Sequence, residues 1–172
     1  MSKKCDNTSV AAIIKKDNRI LLIERKKYNP GWALPAGHQD DNDAERDIKR
    51  ELKEEVGLTA EFMRIRLMIT LQNPCSPKRG GLFHRWIVFF IEKWNGEVKT
   101  SKEEVLNYVW ADEVMLKEFA RRLEEFAAKN KLVIENKNLP ALVKATNESD
   151  LWKRSPGLEP PMYIIFKQLR IA

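Results

Sequence analysis

Three glutamates, Glu51, Glu54 and Glu55, stand close together in the stretch RELKEEVGL, residues 50–58. If this stretch is helical, Glu51 and Glu55 lie one turn apart at the edge of an apolar stripe. Carboxylates so placed repel each other, and moving them toward an apolar surface costs free energy unless a cation meets them. A hard divalent ion such as Mg²⁺ would meet this need, because it prefers carboxylate oxygen and keeps waters for substrate phosphates. The alternative is a solvated acidic helix face, which is common on protein surfaces.

An amphipathic helix must position these acids. Its apolar stripe recurs every four residues, at Ala44, Ile48, Leu52 and Val56. We expect Asp41 or Asn42 to cap the start of the helix, since both side chains accept hydrogen bonds from free backbone N–H groups. We expect the helix to end at Gly57, because glycine readily takes the left-handed conformation that stops a helix.

The residues upstream of this helix extend the pattern. LPAGH, residues 34–38, predicts a strand end and a tight turn, and a loop rich in acids follows. Together the two halves resemble the box of the Nudix hydrolases, in which a glycine, an acid and the run R-E-apolar-x-E-E-x-G-apolar recur at fixed spacing. Gly37 fits the glycine, Asp43 the acid and residues 50–58 the run.

Two departures from the family pattern fall in the loop. The acid is Asp43 rather than a glutamate, and one residue fewer than in the family separates it from Arg50. The resemblance implies that this acid pairs with the arginine and supports the loop. The alternative is that Asp43 only caps the helix.

The resemblance implies an α/β fold, a Nudix-type α/β/α sandwich with a mixed β-sheet between helices. It implies hydrolysis of a diphosphate linkage in a nucleoside diphosphate derivative or a nucleoside triphosphate, with Mg²⁺ or Mn²⁺ as cofactor. The implied metal ligands are the Gly37 carbonyl and the carboxylates of Glu51, Glu54, Glu55 and Glu104. The implied catalytic residues are Arg50, Glu51, Glu54 and Glu104.

The general base is less well defined by the resemblance. A carboxylate would take a proton from the attacking water, and both Glu51 and Glu104 are candidates. Nudix sequences often carry a glutamate about six residues before an aromatic residue, and Glu104 and Trp110 have that separation. Glu103 is the rival of Glu104, and an ordinary loop acid is the other alternative.

Cations and aromatic residues near the box are candidates for substrate binding, namely Arg25, Tyr28, Trp32, Lys78 and Arg79. The alternative for these cations is a solvated strand end at residues 25–27 and plain surface at residues 78–79. His84 could shuttle a proton, although a lone histidine on a strand is more often structural.

Periodicity and turn residues predict the remaining elements. Strands are predicted at 8–15, 19–26, 32–36, 59–71 and 82–94, with a two-residue turn at Asp17-Asn18 and a hairpin at Asn95-Gly96 leading to 97–99. Residues 113–129 predict an amphipathic helix, and 162–169 a short one behind Pro161. Segment 139–148 is mixed.

Length and composition favour one domain over residues 1–172, of which 43% are hydrophobic. The resemblance covers roughly residues 8–129, and residues 130–172 form a C-terminal extension that could shape a substrate pocket or a dimer contact. Monomer and homodimer both remain open. No apolar run suffices to span a bilayer, and the N-terminus lacks the apolar region of a signal peptide. Cys5 and Cys75 lie far apart without a CxxC, which fits a reducing cytoplasm and offers no zinc motif.

The chain carries a net charge of +6 and has a pI near 9.3. This excess suits phosphate-rich, small-molecule nucleotide substrates, and it permits RNA without requiring it. The resemblance therefore leaves two alternatives to the nucleotide hydrolase. One is an enzyme that removes a 5′ cap or pyrophosphate from RNA, and the other is a non-catalytic nucleotide-binding or regulatory module. The intact glutamates argue against the second.

Overall fold

The computed structural model describes residues 4–40 and 43–171. Within these ranges the strands are β1 (Thr8–Lys16), β2 (Arg19–Arg25), β3 (Trp32–Ala33), β4 (Ala36–His38), β5 (Thr59–Leu71), β6 (His84–Asn95) and β7 (Val105–Ala111). The helices are α1 (Ala44–Val56), α2 (Glu113–Lys129), α3 (Leu139–Glu148), α4 (Asp150–Arg154) and α5 (Pro160–Leu169), with a 3-10 turn at Asn136–Asn138. None of the helices in the described ranges is long and apolar enough to cross a membrane.

Strand β1 lies at the centre of a mixed sheet. It pairs in parallel with β6 and antiparallel with β2 and β4. The strand order is β3-β2-β1-β6-β5, and β7 pairs with β2 beside this path. Because both faces of β1 and β2 are covered, these strands read as nearly continuous apolar runs in the sequence.

Two apolar clusters, one on each face, hold the sheet between helices. Along β1, Val10, Ala12 and Ile14 belong to the cluster that contains α1, whereas Ala11 and Ile13 belong to the cluster that contains α2 and α5. This alternation follows from the period of two in a strand. From α1 the packed residues are Ile48, Leu52 and Val56, as the sequence predicts. The expected α/β/α sandwich with a mixed sheet is therefore confirmed.

The differences from the predicted elements have local causes. The strand predicted at 32–36 is divided into β3 and β4 around Leu34-Pro35, since proline has no N–H to donate to a ladder. Segment 97–99 is not a strand, because the Lys99 N–H bonds to Val56 O at the end of α1 (2.9 Å). The mixed segment 139–148 is the helix α3, with Pro140 in its first turn. At the predicted turn between β1 and β2, Asp17 and Asn18 both have positive φ.

The C-terminal segment completes one face of the core. Leu139, Leu158 and Phe166 are fully buried in the same cluster as the inner residues of β1. The backbone N–H of Leu158 bonds to Phe119 O on α2 (3.0 Å), and the Trp32 N–H on β3 bonds to Gly157 O (2.9 Å). Residues beyond the end of the family resemblance thus pack directly against the sheet.

We expect Leu158→Ala to lower the free energy of unfolding by about 2–5 kcal/mol, the cost of removing a fully buried leucine. Leu151→Ala makes the same change in the same segment, but Leu151 is 76% exposed, so its effect should stay within about 0.5 kcal/mol. Urea unfolding followed by tryptophan fluorescence measures both. Equal midpoints for the two variants would contradict the packing of this segment into the core.

Candidate active site

Helix α1 carries the acidic residues and has well-defined ends. It begins after the N-cap Asp43, whose side chain accepts a hydrogen bond from the Arg46 N–H (3.1 Å), and it ends at Gly57, which has a φ of 75°. The stop at the glycine is confirmed. The other predicted caps, Asp41 and Asn42, lie outside the described residues.

Glu55 is the most deeply buried of the three glutamates, with 2% of its surface exposed. Its Oε2 accepts a hydrogen bond from the Ala36 N–H (2.8 Å), and the Arg25 Nη1 lies 3.7 Å from its Oε1. Burial raises the pKa of Glu55 above its ordinary value, against the opposing effect of Arg25. The carboxylate therefore has less positive charge around it than its burial requires, and a further cation would be favourable.

Arg25 joins this acid to the C-terminal segment. Its Nη2 donates to Ala36 O (2.8 Å), and its Nε lies 3.2 Å from the Glu159 Oε2. Among the described residues, neither the Arg25 Nε nor the Glu159 Oε2 has a well-oriented hydrogen-bond partner. Burial also raises the pKa of Glu159, with Arg25 again opposing. Arg25 is thus an internal counter-ion rather than a solvated strand end, and sequence reasoning missed Glu159 because no local pattern marks it.

The side chain of Glu51 lies against Gly37 of β4. A Cβ added to Gly37 would lie 2.0 Å from the Glu51 Cδ, so only glycine leaves room for this carboxylate. The Arg50 Nη1 lies 2.9 Å from the Glu51 Oε1, while burial raises the pKa of Glu51 in spite of that contact. Glu54 is different, because its side chain is 58% exposed and contacts the Arg50 Nη1 at 3.2 Å.

Arg50 is the cation of the acidic run. Its Nη2 lies 3.2 Å from the Asp47 Oδ1 and 3.6 Å from the Asp40 Oδ2, and it donates to His38 O (3.3 Å). Within the described ranges no ion pair joins Arg50 to Asp43. The ion pair with Arg50 that the resemblance implied for Asp43 is therefore absent from these residues, and the structure favours the alternative that Asp43 caps the helix. Asp40 and Asp47 pair with Arg50 instead.

The three glutamates open onto a cleft of about 300 Å³, the acidic cleft. Glu104 also lines it, whereas Glu103 does not. The backbone of Glu104 is fixed there, because its carbonyl accepts a hydrogen bond from the Lys26 N–H (2.9 Å). This placement favours Glu104 over Glu103 as the additional acid.

A family model described as the NUDIX domain matches residues 5–131. The chain belongs to the Nudix hydrolase family. It is 35% identical over 98 residues to an ADP-ribose pyrophosphatase from Methanocaldococcus jannaschii, a match that covers 55% of this chain and 56% of that protein. The chain thus spans little more than half the length of this curated relative.

Solved structures show the same fold. A MutT Nudix hydrolase from Burkholderia pseudomallei is similar with a TM-score of 0.55 and 25% identity, over 63% of this chain and 84% of that one. A mutator MutT protein from Bacillus halodurans is similar with a TM-score of 0.52 and 19% identity, over 83% of each chain. Nudix hydrolases generally use divalent metal ions.

A second cleft of about 180 Å³ adjoins the acidic cleft of this Nudix protein. The second cleft reaches past Asn73 and Trp86 to Glu159, and its volume lies below the range of small-molecule sites, about 300–1,000 Å³, so it would hold only part of a ligand. The two clefts share a wall formed by Arg25, Lys27, Tyr28, Ala36, Gly37 and His38. A molecule bound across this wall would contact the acids at one end and the second cleft at the other.

Three of the five predicted substrate-binding residues, Arg25, Tyr28 and Arg79, line the acidic cleft. The other two, Trp32 and Lys78, do not line this cleft, and their role in substrate binding stays a prediction. The ring of Trp32 stacks on Phe119, with centroids 4.9 Å apart. Lys78 lines a separate hollow at the tip of the 73–81 loop.

Both cysteines and both histidines of the chain meet at the second cleft, which His38, Cys75 and His84 line, and their possible ligand atoms lie within 4.8 Å of one another. Cys5 and Cys75 are therefore close together in the fold, although they lie far apart in the sequence without a CxxC. His84 lies in this cluster rather than in the acidic cleft, which does not support a proton shuttle there. Burial lowers the pKa of both histidines, His38 to about 4, and raises the pKa of Cys5 to about 11. In the sequence, the presence of two cysteines and two histidines was the only sign of this cluster.

The cap geometry predicts that Asp43→Ala lowers the free energy of unfolding by about 1 kcal/mol, whereas Asp43→Asn leaves it near the wild-type value. Asparagine caps a helix as well as aspartate but carries no charge, so the pair of variants separates capping from ion pairing. Urea unfolding measures the difference. An equal loss in both variants would contradict the capping role.

Proposed function

We propose that this protein is a metal-dependent hydrolase that cleaves the diphosphate linkage of a nucleoside diphosphate derivative or a nucleoside triphosphate. The convergence of Glu51, Glu54 and Glu55 beside Gly37, at the junction of two clefts, carries this proposal. The relative from Methanocaldococcus jannaschii is an ADP-ribose pyrophosphatase, which makes nucleoside diphosphate sugars the first substrate class to test.

The donor set fits Mg²⁺ or Mn²⁺. Carboxylate and carbonyl oxygens are the ligands that these hard ions prefer, and burial raises the pKa of both Glu51 and Glu55, which marks carboxylates short of positive charge. The residues that would hold the ions are Gly37, through its carbonyl, Glu51, Glu54, Glu55 and Glu104. When bound, the ions would offset the negative charge that develops on the phosphates and lower the pKa of a water.

The protein's own groups would orient the reactants and accept the proton. Glu51 or Glu104 would take the proton from the attacking water; Glu51 is buried beside Gly37, and Glu104 is exposed and lines the same cleft. Arg50 would position Glu51 and Glu54 through its contacts of 2.9 and 3.2 Å. Arg25 would hold Glu55 through their ion pair and through Ala36.

Substrate recognition would come from outside the acidic run. Tyr28 lies on the wall shared by the two clefts, where an aromatic ring can pack against a nucleoside. Arg79 lines the acidic cleft, where its guanidinium can approach a phosphate. We also propose that the whole chain acts as one domain, because Leu158 and Phe166 share one core cluster with β1.

A panel of ADP-ribose, other nucleoside diphosphate sugars, nucleoside triphosphates and 5′-triphosphorylated RNA, each with Mg²⁺ or Mn²⁺, tests the function. We expect hydrolysis of at least one nucleotide derivative into phosphomonoester products, resolved by chromatography, and loss of that hydrolysis with EDTA. Turnover of the RNA alone would favour the RNA alternative. No turnover above an EDTA control for any compound would contradict the proposal.

The metal assignment predicts that Glu54→Gln and Glu55→Gln each lower turnover more than about 100-fold, since even groups that only support metal ligands contribute about 10- to 100-fold. Glu45→Gln is the matched control, because Glu45 is an exposed acid in the first turn of the same helix. Circular dichroism checks that each variant folds. Near-wild-type turnover in Glu54→Gln with Mg²⁺ present would show that Glu54 does not hold the metal.

A further inference from the structure

Four side chains from separate parts of the chain converge at one point. They are Cys5 before β1, His38 at the end of β4, Cys75 in the 73–81 loop and His84 at the start of β6. The chain has no other cysteine or histidine. That all the cysteines and histidines of the chain meet within 4.8 Å is the observation from which the inference starts.

The spacing of these atoms is close to that of a tetrahedral metal site. The Cys5 Sγ lies 3.2 Å from the His84 Nε2, and the His38 Nε2 lies 3.2 Å from the Cys75 Sγ. With Zn–S near 2.3 Å and Zn–N near 2.0–2.1 Å, ligand atoms in a tetrahedron stand roughly 3.3–3.8 Å apart. The two short pairs are already near this range, and the widest separation needs to close by only about 1 Å.

The surroundings of His84 are compatible with the tautomer that a metal requires. Its Nδ1 lies 2.9 Å from Asn73 O and 3.1 Å from the Asn73 Nδ2, and a proton on Nδ1 would be donated to the nearer carbonyl. The lone pair of Nε2 would then face Cys5. Asn73 is itself buried and is held by the Trp86 Nε1, which donates to its Oδ1 (3.0 Å). A ring N–H donated to a backbone carbonyl is the usual support of a metal-binding histidine.

His38 needs one rearrangement. The Arg79 Nη1 lies 2.9 Å from the His38 Nδ1 and donates to it, so the proton of the neutral ring is on Nε2. Coordination through Nε2 moves that proton to Nδ1, and Arg79 must then withdraw. Asp40 lies 3.6 Å from the Arg79 Nη2 and can keep the guanidinium nearby.

The backbone around the sulfurs is already ordered by the protein. The Cys5 N–H bonds to Arg79 O (2.9 Å), and the Cys75 N–H bonds to Gly81 O (2.8 Å). A Cβ at Gly81 would lie 2.8 Å from the Cys5 Sγ, so the loop approaches this sulfur as closely as a glycine permits. The N-terminal segment and the 73–81 loop thus enclose the cluster.

We propose that Cys5, His38, Cys75 and His84 form a Cys₂His₂ site for one Zn²⁺. Four protein ligands leave no open coordination position, which is the property of a structural zinc site. Each thiol releases a proton when zinc binds, and the two thiolates balance the charge of the ion. The zinc would tie the N-terminal segment and the 73–81 loop to β4 and β6, and it would fix the wall that the two clefts share, since His38 directly follows Gly37.

Metal analysis of the purified full-length chain tests this site. After growth with added zinc and exchange into buffer with excess Mg²⁺, we expect about one zinc per chain by plasma mass spectrometry. Cobalt substitution should give the thiolate charge-transfer and tetrahedral d–d absorption bands. Cys75→Ser and Cys5→Ser should each lose the zinc and weaken the charge-transfer band, and zinc should raise the melting temperature of the wild type alone.

Glu54→Gln is the control, because it alters the proposed Mg²⁺ site and leaves all four residues intact, and it should keep its zinc. Two variants are used so that a misfolded Cys75→Ser protein leaves Cys5→Ser, at a partly exposed position, to decide. The proposal would be overturned by zinc retained in both cysteine variants or by no zinc in the wild type. A Cys5–Cys75 disulfide that forms even when the protein is purified with a reductant would also overturn it. These readouts measure metal and not hydrolysis, so they stand apart from the proposed function.

Discussion

The half-buried guanidinium of Arg25 makes the ion pairs on which the rest of the site depends. It faces Glu55 on α1 and Glu159 at the start of α5, and it also donates to Ala36 O on β4. Removing one member of such a buried set costs about 3–5 kcal/mol, because the remaining charges are left without compensation. One side chain therefore links the acidic helix, the strand that carries Gly37 and the C-terminal segment, so that the extension beyond the family match is part of the site's electrostatics.

In the ion pairs around Arg25 and Arg50, carboxylates outnumber guanidinium groups, and this excess of negative charge would favour the binding of a cation. Glu51 and Glu54 share Arg50, while Glu55 and Glu159 share Arg25. Folding raises the pKa of both Glu51 and Glu55. Their charges consequently reduce stability at neutral pH, where the unfolded chain holds both groups ionised, and this cost disappears as the pH falls below their ordinary range. A site that is destabilising when empty stands to gain from a divalent ion, and local costs of this kind are typical of functional positions.

The sequence was a good guide to features set by local pattern. The limits of β5 and α2, the apolar stripe of α1 and the stop at Gly57 follow from periodicity and from one residue's conformational freedom. Features that depend on which distant segment packs against a residue could not be predicted from the sequence. Trp32 stacks on Phe119 because the docking position of α2 is a property of the whole fold. In the same way, the fold brings Glu159 to Arg25 and Cys5 to Cys75, although both pairs are far apart in the sequence. The shortened loop explains the remaining error, since Asp43 begins the helix and Asp40 lies where Arg50 can reach it.

The division between local and distant features matches a division of roles within the clefts. The residues proposed to hold metal lie mainly on one helix and one strand, where backbone geometry fixes their spacing. The residues of the second cleft come from the loop at Tyr28, the 73–81 loop and the C-terminal segment, which the sheet brings together. Loops supported by a rigid scaffold can change a binding surface without disturbing the elements beneath them. A metal at the Cys₂His₂ cluster would hold one of these loops in place, because it would anchor Cys75 to His84 on β6 and to His38 beside Gly37. The shape of the second cleft would then depend on coordination as well as on packing.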